Sequence, residues 1–163
     1  MRVAVISDTH MPRGSRALPH DCLARLAGAD LILHAGDLSS VSFLGQLWAI
    51  GPPVEAVHGN VDEPALQAML PAERTVEVGE LRVGMVHDAG RREGREARLV
   101  ARFPGCAAVV YGHSHLSEIA RAGSVWILNP GSPTERRKAP ARTMIELGVS
   151  GRTIRPHLVT FGP

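Results

Sequence analysis

Seven residues of types that could hold metal ions fall at recurring places in this chain. Asp8 and His10 stand in "VISDTHMPRG", Asp37 in "HAGDLSS", and Asn60 in "HGNVD". His87 stands in "VHDAG", and His113 and His115 in "YGHSH". Imidazole, carboxylate and amide oxygen suit borderline divalent ions such as Mn, Fe or Zn. The absence of thiolate argues against a purely structural zinc site. Seven candidate ligands exceed what one ion usually takes from protein. They fit two ions sharing a carboxylate, an arrangement that clamps phosphoryl oxygens at a metal separation of ~3.5–4 Å. Asp and His near a packed edge are costly unless paired or metal-bound, which weighs against a chance set of polar strand ends.

The elements that must position these residues read as a layered α/β or α+β domain. Strands are expected at 2–7, 30–35, 54–58, 81–87, 107–111 and 124–128, with later ones at 142–148 and 153–161. Helical patterns lie at about 19–28, 40–50, 62–70 and 91–103. Pro19, His20 and Asp21 mark a helix entry. Ser39 or Ser40 can cap the second helix, and Asp62 with Pro64 opens the third. Trp48 and Trp126 fall on apolar faces and are expected in the core. Few helices separate the late strands, so the sheet is expected to turn antiparallel there. The first five strands each end in Asp, Asn or His, at the edge where open α/β sheets bind ligands. Gly36, Gly59 and Gly112 precede polar residues at these exits and permit the tight turns required.

At 163 residues and 44% hydrophobic, the chain is expected to form one domain over 1–163. Its mean hydropathy is +0.01, and no apolar run approaches the ~20 residues of a membrane span. "MRVAVIS" lacks the h-region and cleavage site of a signal peptide, so retention in the cytoplasm is expected. Cys22 and Cys106 are isolated and read as small buried hydrophobes. Arginines cluster at 91–102 and 135–140, which composition reads as solvated surface rather than a phosphate-attracting rim. A net charge of +2 and 4% aromatic residues speak against nucleic-acid binding.

D-x-H, G-D, G-N-x-D, a lone strand-end His and G-H-x-H, in this order, resemble the calcineurin-like metallophosphoesterase family. The short length and "NPGS" at 129–132 resemble its small bacterial and archaeal phosphodiesterase branch. The resemblance implies a four-layer αββα sandwich of two mixed β-sheets flanked by helices, with a dinuclear metal site. Carried over, Asp8, His10 and His115 bind the first metal, Asp37 bridges both, and Asn60, His87 and His113 bind the second. Asp37 and Asn60 are also the residues expected to act in catalysis, Asn60 beside the substrate phosphate. The implied cofactor is two divalent ions, Mn first, with Fe, Zn, Ni or Mg as alternatives. The implied partner is a small phosphate ester, and a homo-oligomer stays open. His34 and His58 are expected to orient ligands or pack in the core, and His20 and His157 to face solvent. Arg13 is a candidate phosphate contact. Many members carry G-N-H-[DE], but Val61 occupies that His position here, which removes an expected helper of the leaving group. Asp88 replaces a frequent Gly after His87 and reads as a turn residue. The implied activity is metal-dependent phosphodiester hydrolysis. Phosphomonoester hydrolysis is an alternative, and so is a protein-interaction scaffold resembling a retromer subunit with a degenerate site.

Overall fold

Strand β1 (Arg2–Ile6) sends Val3 and Val5 to one face and Ala4 and Ile6 to the other, as a two-residue repeat requires. The computed structural model describes residues 1–162. In it β1 pairs in parallel with β2 (Leu31–His34), which pairs in parallel with β3 (Val54–Ala56). On its other side β1 pairs antiparallel with β9 (Arg142–Ser150), and β9 with β10 (Thr153–Phe161). The first sheet therefore runs β10-β9-β1-β2-β3. A second sheet contains β4 (Glu73–Val78), β5 (Leu81–Val86), β6 (Ala108–Val110), β7 (Glu118–Ala122) and β8 (Val125–Asn129), in the order β4-β5-β6-β8-β7. Its three central strands are parallel and its two edges antiparallel.

Three apolar layers follow from this alternation. Val3, Val5, Leu31 and Leu33 meet Val83, Met85, Val110 and Leu128 between the sheets. Ala4, Ile6 and Ile32 pack outward against helices α1 (His20–Ala27), α2 (Val41–Trp48) and α3 (Pro64–Met69) through Cys22, Leu26, Phe43, Leu47 and Leu66. Val109 and Ile127 pack against Leu99 of α4 (Arg95–Arg102) on the far side. The result is the αββα sandwich of two mixed sheets. No helix among the described residues is long and apolar enough to cross a membrane.

Several local expectations are corrected. Trp48 is 52% exposed, because it ends α2 outside the stripe formed by Phe43, Leu44 and Leu47. Trp126 does pack against the core between the sheets but is only half-buried, with the Arg121 guanidinium 4.5 Å from its ring. Strands β4 and β7 are not legible in the sequence, since "ERTVEV" and "EIARA" carry neither an apolar run nor a regular alternation. Both are sheet edges, where one side chain in two meets solvent. Helix α4 begins at Arg95 rather than 91, because Arg98 ties the preceding loop through the carbonyls of Ala89, Arg91 and Glu93. Ser40 caps α2 by accepting from the Phe43 N–H at 3.2 Å. The cap of α3 is Glu63, and Asp62 is turned inward instead.

Candidate metal centre

The carboxyl ends of β1, β2, β5 and β6 converge, and the loop after β3 folds toward them. Five of the seven ligand-type residues have left-handed backbone: Asp8 (φ 54°), His10 (46°), Asp37 (58°), His113 (69°) and His115 (59°). Each such conformation costs a non-glycine residue of order 1–2 kcal/mol. Such strain persists only where surrounding contacts over-determine it. At Asp37 the determining contact is Asp62, whose carboxylate accepts from the N–H groups of Asp37 (3.1 Å), Ser39 (2.6 Å) and Gly59 (2.7 Å). Gly59 and Gly112 lie so close that a Cβ would overlap the carboxylates of Asp37 and Asp8, respectively.

Two clusters result. Asp8, His10 and His115 form one, and Asp37, His87 and His113 the other, each with its ligand atoms within 4.8 Å of one another. Asp37 faces both, its Oδ2 lying 3.2 Å from His87 Nε2 and 3.8 Å from His10 Nε2. Asn60 Oδ1 completes the second cluster, 3.2 Å from His87 Nε2 and 3.0 Å from His113 Nδ1. The first cluster is buried, whereas Asn60 and His113 are exposed, so the site opens on the second. An open cleft of about 320 Å³, lined in part by His58, Asn60, Gln67 and His87, adjoins it.

Carboxylate, amide and imidazole atoms crowd one another here. His115 Nδ1 donates to the Glu135 carbonyl (2.9 Å), and His87 Nδ1 donates to the Ala35 carbonyl (2.8 Å). Each therefore turns its Nε2 into the site. His115 Nε2 meets His10 Nε2 at 3.2 Å, and His87 Nε2 meets the oxygens of Asp37 and Asn60. Asp8 Oδ2 accepts from Ser7 Oγ (2.6 Å) and the His113 N–H (3.0 Å). Asp8 Oδ1, 3.4 Å from His115 Nε2, is buried with no donor at all. Only a cation or added protons can relieve such crowding.

The titration behaviour agrees. Burial pushes His10 down to about 4, leaving its imidazole neutral near pH 7. Burial also raises Asp8, against the pull of His87 and Ser7. At Asp37, burial is outweighed by the hydrogen bond and charge of His87, which hold the carboxyl below its ordinary value. Burial would likewise lower His87, but its bond to Asp37 and the charges of Asp8 and Asp37 hold it up.

A family model of the calcineurin-like phosphoesterase superfamily domain matches residues 1–152. The chain belongs to that superfamily. It is thus a metal-dependent phosphoesterase, and the donor set fits the divalent ions such proteins need. A probable metallophosphoesterase of Methanothermobacter thermautotrophicus is 32% identical over 164 residues, covering 99% of this chain and 94% of its own. Wild-type Vps29 of Entamoeba histolytica, solved with zinc, is 25% identical with a TM-score of 0.78, covering 99% of this chain and all (100%) of its own. An archaeal phosphodiesterase shares the fold at a TM-score of 0.73 and 18% identity, over 98% of this chain and 100% of its own.

Around this calcineurin-like centre the remaining expectations sort clearly. His34 is buried, accepting from the Gly36 N–H (3.2 Å) through Nδ1 and so donating from Nε2 to Thr9 Oγ1 (3.0 Å). It braces the first two loops. His58 is half-buried, its Nδ1 3.3 Å from the Gly59 carbonyl. His20 and His157 face solvent, and both cysteines are buried. Asp88 is exposed and accepts from the Gly90 N–H (2.8 Å), as a turn residue does. Arg13 lies with its Nη1 4.0 Å from Glu135. Four supporting residues escaped sequence reasoning as individuals: Ser7, Asn129, Ser132 and Glu135. "NPGS" was the available signal for two of them. Asn129 Nδ2 donates to the Gly112 carbonyl (2.9 Å), and Ser132 Oγ donates to the Asp8 carbonyl (2.8 Å).

Proposed function

We propose that this protein is a phosphodiesterase working with two divalent ions, manganese first among the alternatives. Asp8, His10 and His115 would hold one ion, Asn60, His87 and His113 the other, and Asp37 both. The observation that carries this is the pair of carboxylate and imidazole clusters around Asp37, with Asp8 Oδ1 left without a donor. Ions bound there supply Lewis-acid stabilisation of phosphoryl oxygens and an activated water nucleophile. The protein's own part is to fix the ligands before substrate arrives, through Asp62 and the bonds from His87 and His115 to carbonyls. Asn60 lines the cleft and would meet the substrate phosphate there. A departing alkoxide must gain a proton, and Val61 has none to give. His58 lines the same cleft and stands outside the ligand set. The fold shared with an archaeal phosphodiesterase supports the diester reading.

The test is a screen of aryl and alkyl phosphate diesters and monoesters against metal-stripped protein reloaded with Mn, Zn or Mg. Mn-loaded protein is expected to cleave diesters in preference to monoesters, and a chelator to abolish the activity. Monoester preference would make the protein a phosphomonoesterase. Bound metal with no ester cleaved would point to a binding role on this fold, and no metal under saturating Mn would refute the assignment.

A further inference from the structure

Two of the three buried side-chain atoms without a hydrogen bond in the described residues lie at the first cluster: Asp8 Oδ1 and Glu135 Oε2. The second is unexpected, because Glu135 lies in an arginine-rich loop far along the chain. That loop is sewn onto the β1 exit. Ser132 Oγ donates to the Asp8 carbonyl (2.8 Å) and accepts from the Glu135 N–H (2.9 Å), while Thr134 Oγ1 donates to the Thr9 carbonyl (2.8 Å). The Glu135 side chain then folds back over the histidines, its Oε2 3.8 Å from His10 Nε2 and 4.0 Å from His115 Nδ1. Neither contact is short enough to be a hydrogen bond, so Oε2 sits beside the cluster without a partner of its own.

Three guanidiniums approach the same carboxylate: Arg16 Nη2 at 3.2 Å, Arg137 Nε at 3.5 Å and Arg13 Nη1 at 4.0 Å. Beside a cation site, such positive charge is unfavourable unless an anion stands between. Glu135 stands there.

We propose that Glu135 is a further acidic residue of the first cation subsite, its carboxylate adding the charge that holds a divalent ion beside Asp8, His10 and His115 against the neighbouring arginines. The inference rests on the metal reading above. It makes Glu135 a positioning residue of the metal centre, held in place by its loop.

The experiment is calorimetric titration of Mn²⁺ into the metal-stripped full chain, comparing wild type with Glu135→Gln, Glu135→Asp, Arg16→Gln and Asp8→Asn. In Glu135→Gln, the ion that Asp8→Asn abolishes should bind about 10–100-fold more weakly, the usual cost of losing a partner of the ligand shell. The other ion should be unchanged, and Glu135→Asp intermediate. Arg16→Gln removes a competing cation and should tighten the same ion, a change opposite in sign to that from a disrupted loop. This arm stands even if Glu135→Gln fails to fold. Two ions bound by wild type, with unchanged constants in Glu135→Gln, would overturn the inference alone, as would weaker binding in Arg16→Gln. Wild type taking up no Mn²⁺ would overturn the metal reading and this inference with it.

Discussion

Replacing Asp8 by Asn should stabilise the metal-free protein while crippling its metal binding. An amide oxygen in the place of Oδ2 keeps the bonds from Ser7 Oγ and the His113 N–H. The amide nitrogen then takes the place of Oδ1, which has no donor and lies 3.4 Å from His115 Nε2. That nitrogen can donate to the imidazole lone pair, so an orphaned buried atom becomes a bonded one. A new hydrogen bond contributes about 0.5–1.5 kcal/mol, and relief of an unsatisfied buried group about 1–3 kcal/mol. Asn also tolerates the left-handed backbone at this position (φ 54°) better than most residues. Against this stands the lost attraction between Asp8 and His87. The net expectation is a gain of about 1–2 kcal/mol, or about 2–8 °C in Tm for a chain of this size. The pH sign follows from the raised pKa of Asp8. An acid whose folded pKa exceeds its unfolded value costs stability as pH rises, so the advantage should be absent below pH ~3.9 and grow toward neutrality. Saturating Mn should reverse the order, because an ion at a hundred times its Kd adds about 2.7 kcal/mol to wild type alone. Thermal unfolding with chelator and with Mn measures both arms. Asp8→Asn less stable than wild type in chelator at pH 7 would refute the reasoning.

Asp37→Asn should lose the second ion and at least ~10²-fold in rate, as expected for removal of a main electrostatic group, read by calorimetry and steady-state kinetics. Buried His34 has its pKa pushed down to about 3, so the unfolded chain takes up its proton first as pH falls below ~6.5. Stability should therefore be lost on acidification, about 2 kcal/mol from this group between pH 6.5 and 5, and His34→Gln should flatten that part of the urea-measured profile. Val61→His should raise alkyl-diester hydrolysis selectively, ~10-fold, over aryl-diester hydrolysis. Val61 is 48% exposed while its N–H donates to Asp37 Oδ1 (3.0 Å), so the substitution leaves the loop's backbone bond in place. Wild-type rates that do not depend on leaving-group pKa would show that no proton donor is missing.

The sequence by itself determined the parts that depend on local pattern. Continuous apolar runs in "VAVI" and "LIL" marked β1 and β2 as strands buried on both faces, and the polar residues after the strands pointed to the seven residues that the fold brings together. These features need only a strand period and a turn, so they are written in neighbouring residues. Tertiary structure decided what depends on distance. Glu135 meets His10 across 125 residues of chain, and nothing near "PTERR" distinguishes a carboxylate folded into the site from one in solvent. Asp62 reads locally as a helix opener, yet three backbone N–H groups from the second and third loops claim it. Edge strands β4 and β7 acquire their pairing from neighbours rather than from a hydrophobic run. The left-handed backbone at five ligand residues is likewise invisible in residue type, since Asp and His enter that region only when contacts from elsewhere hold them there.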